Sequence, residues 1–282
     1  MKIYSHPLFH AQGRDFPGLE NRDRFFRLRR MVEEAERVFS KGDEENADLR
    51  ERIESVHTYV DDVRMSGPEI EAIDHEKETF IDRLSYRTAC AAAATSIHAA
   101  RAEGFALVRP PGHHAHREYT HGFCLLNNMA LAVHALEEDG ERILVLDLDV
   151  HHGCGTEELL DGKKDVAMIS IYKKDLWPGD KHLRYAENCT HISLDGKVQD
   201  DRYIHVFESE VMPKIDSFNP TIIGVSLGLD TFLEEGFGFD LTSRSITKIR
   251  ELLKGKKIFG ILEGGYTHPS LKNGIEAFLE DP

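Results

Sequence analysis

Positive charge is in deficit: 35 Lys and Arg face 50 Asp and Glu, a formal net charge of −15. Phosphate binding needs a basic face, so this balance argues against nucleic acid as a partner and is compatible with a cationic substrate. Cysteine is sparse as well. Cys90, Cys124, Cys154 and Cys189 are too few and too scattered for a disulfide framework or a four-thiolate zinc site, which points to a reducing compartment. No apolar run approaches bilayer-spanning length, and the opening MKIYSHPLFH has no secretory apolar core, so the expected location is cytoplasmic, with no membrane partner. The alanine-rich TACAAAATSIHAARAEG carries His98 and Arg101 and reads as a packed internal helix. Internal repeats and low-complexity segments are missing.

What the chain has instead is an ordered alternation. Short apolar runs (KIYS, FALVRP, ILVLDLDV, VAMISIY, TIIGVSLGLD and IFGILEGGY) are separated by amphipathic or alanine-rich stretches. The latter predict helices over Arg22–Ser40, Tyr86–Glu103, Leu126–Glu138, Asp201–Phe218 and Thr242–Lys254. The pattern predicts an α/β fold, three-layer α/β/α with a central, mainly parallel sheet. The charged segment Lys41–Ile70 reads as helix and loop. With no linker or break in composition, residues 1–282 are expected to form one domain.

In open parallel sheets, ligands gather beyond the carboxyl ends of the strands. Four such ends carry polar clusters: PPGHHAHR, DLDVHHGCG, GLDTFLEEGFG and EGGYTHP. Buried acids are unfavourable unless paired or bound to a metal. Asp147, Asp149 and His151 alternate with period two on one expected face. If Asp149 and His151 project from the strand end they can share a divalent ion, with Asp230 as a candidate third ligand, the layout of a catalytic zinc site with one open position. Helix capping by Asp147 and Asp149 is the simpler alternative. His113 and His114 follow a Pro-Pro-Gly turn; such a pair serves as ligands, as surface residues or, beside a metal, in proton transfer. Tyr266, after Gly264 and Gly265, can donate to a developing oxyanion or be an ordinary interface tyrosine.

RPPGHHA, GFCLLNN, DLDVHHGCGT, SLGLDTF and EGGY stand in the order found in the zinc-dependent histone deacetylase and acetylpolyamine amidohydrolase family, which the chain resembles from about Ile53 onward. IESVHTYVDDV and HPLFHAQG resemble its earlier segments. The resemblance implies an arginase–deacetylase fold and hydrolysis of an acetamide to acetate and a free amine. It assigns Zn2+ to Asp149, His151 and Asp230, with Fe2+ as an alternative ion. His113 would pair with Asp147, His114 would act as general base and then general acid, and Tyr266 would bind the acetyl carbonyl and its oxyanion. Gly122, Phe123 and Gly264 would line the substrate channel, with Trp177 of LWPG as the opposite wall. Asp147 and Ser170 match a monovalent site for K+.

Cys154 departs from the family, which usually carries Asp or Asn beside the second histidine. A thiol is a weak partner, so His114 is expected to be less basic than with Asp, or to be held by another group. Acetylated lysine or an acetylated polyamine is the expected substrate; Glu234, Glu235 and Asp240 can form an acidic rim or simply a solvated charge cluster. The short stretch between Val63 and Tyr86 leaves little room for a dimer-building loop, and the oligomeric state stays open. Two other functions are consistent with the fold. An arginase-like ureohydrolase would need more Asp ligands, and a non-catalytic module would bind acetyl-lysine or cationic ligands without turnover.

Overall fold

The computed structural model describes residues 1–10, 24, 28–38, 46–65, 67, 69–179 and 182–280. Among them, seven strands form the main sheet: β1 (Ile3–Tyr4), β2 (Phe105–Ala106), β3 (Ile143–Asp147), β4 (Val166–Lys173), β5 (Cys189–Leu194), β6 (Ile222–Leu227) and β7 (Ile258–Leu262). Their spatial order is β1-β2-β7-β6-β3-β4-β5, and every pairing is parallel. Parallel sheets are covered on both faces, which is why β3, β6 and β7 are near-continuous apolar runs, broken only by Asp147 and Ser226, with all residues buried.

The longer helices among the described residues are α1 (Ala47–Val56), α2 (Ser85–Arg101), α3 (Asn128–Glu138), α4 (Cys154–Leu160), α5 (Asp200–Val206), α6 (Met212–Phe218), α7 (Ser243–Leu252) and α8 (His268–Leu279). Two glycines show how helices approach opposite faces of the sheet. A Cβ on Gly224 would meet Phe259 and Met129 of α3, whereas one on Gly260 would meet Phe105 and Phe278 of α8. The missing side chains are the space those aromatic rings occupy.

The chain runs outward through β3, β4 and β5, then returns to β6 on the other side of β3. This switch opens a crevice at the carboxyl ends of β3 and β6, where open α/β sheets bind ligands. The loops after β2 and β7 reach the same crevice.

Several expectations need amendment. The strand expected over 143–150 stops at Asp147, because Oδ1 of Asp147 accepts from the N–H of Asp149 at 3.2 Å and turns the chain. Asp149 and His151 therefore lie beyond the strand. FALVRP pairs as a strand only at Phe105–Ala106. The edge strand β5, CTHISL, and the helices α4 and α8 were not expected. Asp201–Phe218 is helical throughout but carries a π-type turn at Phe207–Val211, just before Pro213, which has no N–H to donate. Lys41–Ile70 lies partly outside the described residues; within them it holds α1, capped by Asn46, and a short helix at Val60–Arg64. Arg22–Ser40 lies partly outside the described residues; within them, Arg29–Glu34 is helical.

Candidate active site

Asp147, Asp149, His151, Asp230, His113 and His114 come together at the switch point. Asp147 is fully buried at the end of β3, with Nδ1 of His113 3.1 Å from its Oδ2. Nε2 of His113 lies 3.8 Å from Oδ2 of Asp149, so the ring bridges the two acids. Nδ1 of His151 stands 3.0 Å from Oδ1 of Asp149 and 3.2 Å from Oδ2 of Asp230. Asp149 and Asp230 are also held by backbone donors, Gly264 N at 2.9 Å and Val150 N at 3.1 Å. The helix-capping alternative fails: α4 begins after Gly153 with no side-chain cap.

This donor set fits a divalent cation. One ligand atom from each of Asp149, His151 and Asp230 lies within 4.8 Å of the other two. Oδ2 of Asp230 is buried and makes no well-aligned hydrogen bond among the described residues; its near neighbour at 3.2 Å is Nδ1 of His151, the nitrogen that would share the ion with it. A Cβ on Gly264 would meet Oδ2 of both Asp230 and Asp149, and one on Gly228 would meet Asp149. These two glycines form a cradle only as wide as the carboxylates. Two oxygens and one imidazole nitrogen suit Zn2+ and also Fe2+.

The electrostatics separate the two neighbouring histidines. Burial disfavours charge on both. At His113 the carboxylates of Asp149 and Asp147 outweigh it and raise the pKa to about 10. At His114 burial is reinforced by His113 and His151, and the pKa falls well below the ordinary value. His151 is raised to about 9, burial being outweighed by Asp149 and Asp230. Burial and then Asp149 raise Asp230 to about 6. Adjacent rings 3.9 Å apart thus carry opposite tendencies, one to keep its proton and one to stay neutral.

The structure puts Cys154 beside His114, with Sγ 3.5 Å from Nδ1. Burial raises the Cys154 thiol above its ordinary range, so it gives His114 no charged partner. Asp147 and Ser170 sit opposite each other on β3 and β4, with Oγ of Ser170 3.0 Å from Nδ1 of His152.

Above the acids a cavity of about 290 Å3 opens, lined by Gly122, Phe123, Trp177, Phe237, Gly264 and Tyr266 among others. Trp177 packs edge-on to His114 at 4.7 Å and Phe123 edge-on to Tyr266 at 6.2 Å. Gly122 is at φ +51°, and a Cβ there would strike Trp177 and His114.

Sequence reasoning missed the supports of this channel. A hairpin pairs Glu71–Ala72 with Phe80–Ile81 and pins both walls. Trp177 Nε1 donates to Oε2 of Glu76 at 2.7 Å, and Phe123 N donates to Oγ1 of Thr79 at 3.0 Å. Glu78, from the same hairpin, lines the cavity. Of the three acids read as an acidic rim or charge cluster, Glu235 and Asp240 are engaged elsewhere. Oε1 of Glu235 accepts from the N–H groups of Tyr266 and Thr267 at 2.9 and 2.8 Å, and Asp240 pairs with Lys197 at 2.5 Å. Glu263 was read only as the start of EGGY, yet it is fully buried and accepts from Gly112 N at 2.7 Å and His113 N at 3.2 Å. Burial raises its pKa to about 7. Arg24 donates to the carbonyl of Gly265 at 2.7 Å and also to that of Glu263, bracing the same turn.

Comparison with known proteins agrees with this architecture. Histone deacetylase 15 of Arabidopsis thaliana is 33% identical over 225 residues, which span 72% of this chain and 41% of that protein. A probable deacetylase of Archaeoglobus fulgidus is 34% identical over 244 residues, 77% of this chain and 67% of the relative. The crystal structure of the HDA15 HD domain superimposes with a TM-score of 0.86 at 26% identity, covering 99% of this chain and 90% of the other. An acetylpolyamine aminohydrolase from Burkholderia pseudomallei shares the fold, with a TM-score of 0.80 at 21% identity over 99% and 97% of the two chains. Residues 19–281 match the histone deacetylase domain, and the chain belongs to that family.

Proposed function

We propose that this chain is a zinc-dependent deacetylase that hydrolyses the acetamide of acetyl-lysine or of acetylated amines such as acetylpolyamines, with Fe2+ as the alternative ion. The observation that carries the proposal is the convergence of Asp149, His151 and Asp230 beneath a channel bordered by His114 and Tyr266. Held by these three residues, Zn2+ supplies Lewis-acid polarisation of a carbonyl and a lower pKa for water.

The chain's own groups do the rest. Phe123, Trp177 and Phe237 form apolar walls for the methylene chain of an acylated amine. His114, kept neutral by its surroundings, accepts the proton of the attacking water and returns it to the amine as the C–N bond breaks. His113 keeps its proton through Asp147. The Tyr266 hydroxyl donates to the oxyanion, its backbone fixed by Glu235. Glu76 and Glu78 give the mouth a negative potential that favours a cationic chain. The fully buried Asp147 and Ser170 support K+ behind the main site, since a serine hydroxyl that donates to His152 still has lone pairs for a cation.

A side-by-side assay of metal-loaded protein with acetyl-lysine peptides, acetylspermidine and acetylputrescine tests the proposal. Acetate release from at least one is expected. Tight binding with no acetate from any of them would make the chain a binding module instead.

A further inference from the structure

Three histidines outside the site above gather beside its wall. His116 and His121 lie on the loop that leads from His114 to Gly122, and His182 on the loop beyond Trp177. Each offers a ring nitrogen within 4.8 Å of the other two. His116 and His121 are only 2% and 4% exposed, and the His121 and His182 rings stack at 4.9 Å.

Carboxylates flank two of these rings as they flank metal ligands. Nδ1 of His116 is 2.6 Å from Oε2 of Glu158, and Nε2 of His121 is 3.5 Å from Oε2 of Glu76. A carboxylate on one nitrogen fixes the tautomer and ring orientation and makes the other nitrogen a better ligand. At His116 that other nitrogen, Nε2, lies 3.4 Å from Sγ of Cys154. At His121 it is Nδ1, which is buried and has no hydrogen-bond partner among the described residues. A buried nitrogen left this way keeps its full desolvation penalty, which a cation would remove.

A second cluster of similar spacing, His152, Glu157 and His191, shows the contrast. There Nε2 of His152 and Nε2 of His191 each lie 2.9 Å from an oxygen of Glu157, and Nδ1 of His152 is 3.0 Å from Oγ of Ser170. Glu157 also accepts from the N–H groups of Arg184 and Ala186. Those groups already satisfy one another and leave a metal nothing to gain.

We propose that His116, His121 and His182 form a second transition-metal site, distinct from Asp149–His151–Asp230, with the Cys154 thiol placed to become a fourth ligand. Three imidazoles and a nearby thiol select Zn2+ and its neighbours in the first row over Mg2+ or Ca2+. Zn–N bonds of about 2.0–2.1 Å bring imidazole nitrogens to roughly 3.4 Å apart in a tetrahedral site. The nitrogens, all within 4.8 Å of one another, therefore close by at most about 1.4 Å on binding, with the half-buried His182 the freest to move. Because the Trp177 ring lies 4.6 Å from that of His121 and the N–H of His182 donates to the carbonyl of Gly179 at 3.1 Å, occupancy fastens the Trp177 wall of the channel. The site does not depend on the deacetylase reading and is tested by metal uptake alone.

Chelator-stripped full-length protein is dialysed against Zn2+ and the bound metal counted. Wild type is expected to hold two equivalents, and His182→Ala one fewer. In Asp230→Asn, where the first site is disabled, added Zn2+ should still raise Tm, and in Asp230→Asn/His182→Ala it should not. His182 is half-buried on a loop, so its substitution tests the site with little effect on the core. Equal zinc content in wild type and His182→Ala would overturn the proposal, as would a zinc-induced rise in Tm of the same size with and without His182.

Discussion

Gly264→Ala isolates the geometry on which the proposed metal centre rests. Gly264 does not have a positive φ, so alanine brings no backbone strain, only a methyl group. That methyl would meet Oδ2 of Asp230 and lie 2.6 Å from Oδ2 of Asp149, where real Cβ contacts essentially never fall below 3.0 Å. The Asp149 oxygen must retreat by about 0.4 Å and the Asp230 oxygen by more, against a tolerance of about 0.2 Å for metal–ligand distances. Outer-sphere changes alone weaken metal binding about 10–100-fold, so displacing two ligands should cost about 100-fold or more. Overpacking itself destabilises by about 1–3 kcal/mol, which calls for a control. In Gly224→Ala a methyl would lie 2.5 Å from Phe259 Cζ and 2.9 Å from Met129 Sδ, well inside the core. The assay is competition for Zn2+ against a chromophoric chelator, in a His182→Ala background so that one site is read, alongside thermal denaturation. Gly264→Ala should lose zinc affinity, whereas Gly224→Ala should lose stability and keep its affinity. Wild-type affinity in Gly264→Ala, or an equal loss in both variants, would refute the reasoning.

Three further predictions follow from the surroundings of the site. Cys154→Asp puts a carboxylate beside Nδ1 of His114, and an adjacent negative charge should move the acid limb of the kcat/KM profile upward by about 1–3 pH units; an unchanged profile would count against His114 as the titrating base. His57 is buried as a neutral ring, with Nδ1 2.8 Å from the carbonyl of His116 and Nε2 accepting from Asn127 N at 2.9 Å, and burial lowers its pKa to about 4. Below pH about 6.5 the unfolded chain takes up a proton that the folded chain refuses, so up to about 3 kcal/mol of stability is lost as pH falls toward 4. Urea denaturation of His57→Gln should show an acid slope smaller by one proton, and identical slopes would contradict this assignment. Glu235→Ala frees the backbone of Tyr266 and should lower kcat roughly 10- to 100-fold through misplacement of the phenol without changing zinc affinity; an unaltered kcat would remove Glu235 from the positioning of Tyr266.

The parts legible in sequence were those with a local signature. The near-continuous apolar runs of β3, β6 and β7 marked buried parallel strands, and the acids at their ends marked where burial had to be compensated. β5 escaped because it lies at the sheet edge, where CTHISL mixes Thr190, His191 and Ser193 with apolar residues. The supports of the site escaped for a different reason, since their partners are remote in the chain. Glu263 meets Gly112 and His113 about 150 residues away, and Glu76 meets Trp177 101 residues away. His116 and His121 were visible as letters, but nothing in the sequence placed His182 beside them. Glu235 resembled a solvated rim acid and proved to be a backbone acceptor, a difference set by the path of the loop after β6.

The most direct test of the central claim is acetate release from an acetyl-lysine peptide and from acetylspermidine by zinc-loaded wild type and Asp230→Asn, with folding checked by circular dichroism. The account predicts that wild type releases acetate from at least one substrate, that stripping the metal abolishes this and that Zn2+ restores it. It predicts that Asp230→Asn, although folded, stays at background. Acetate release by Asp230→Asn at the wild-type rate, or by wild type after complete removal of metal, would contradict it.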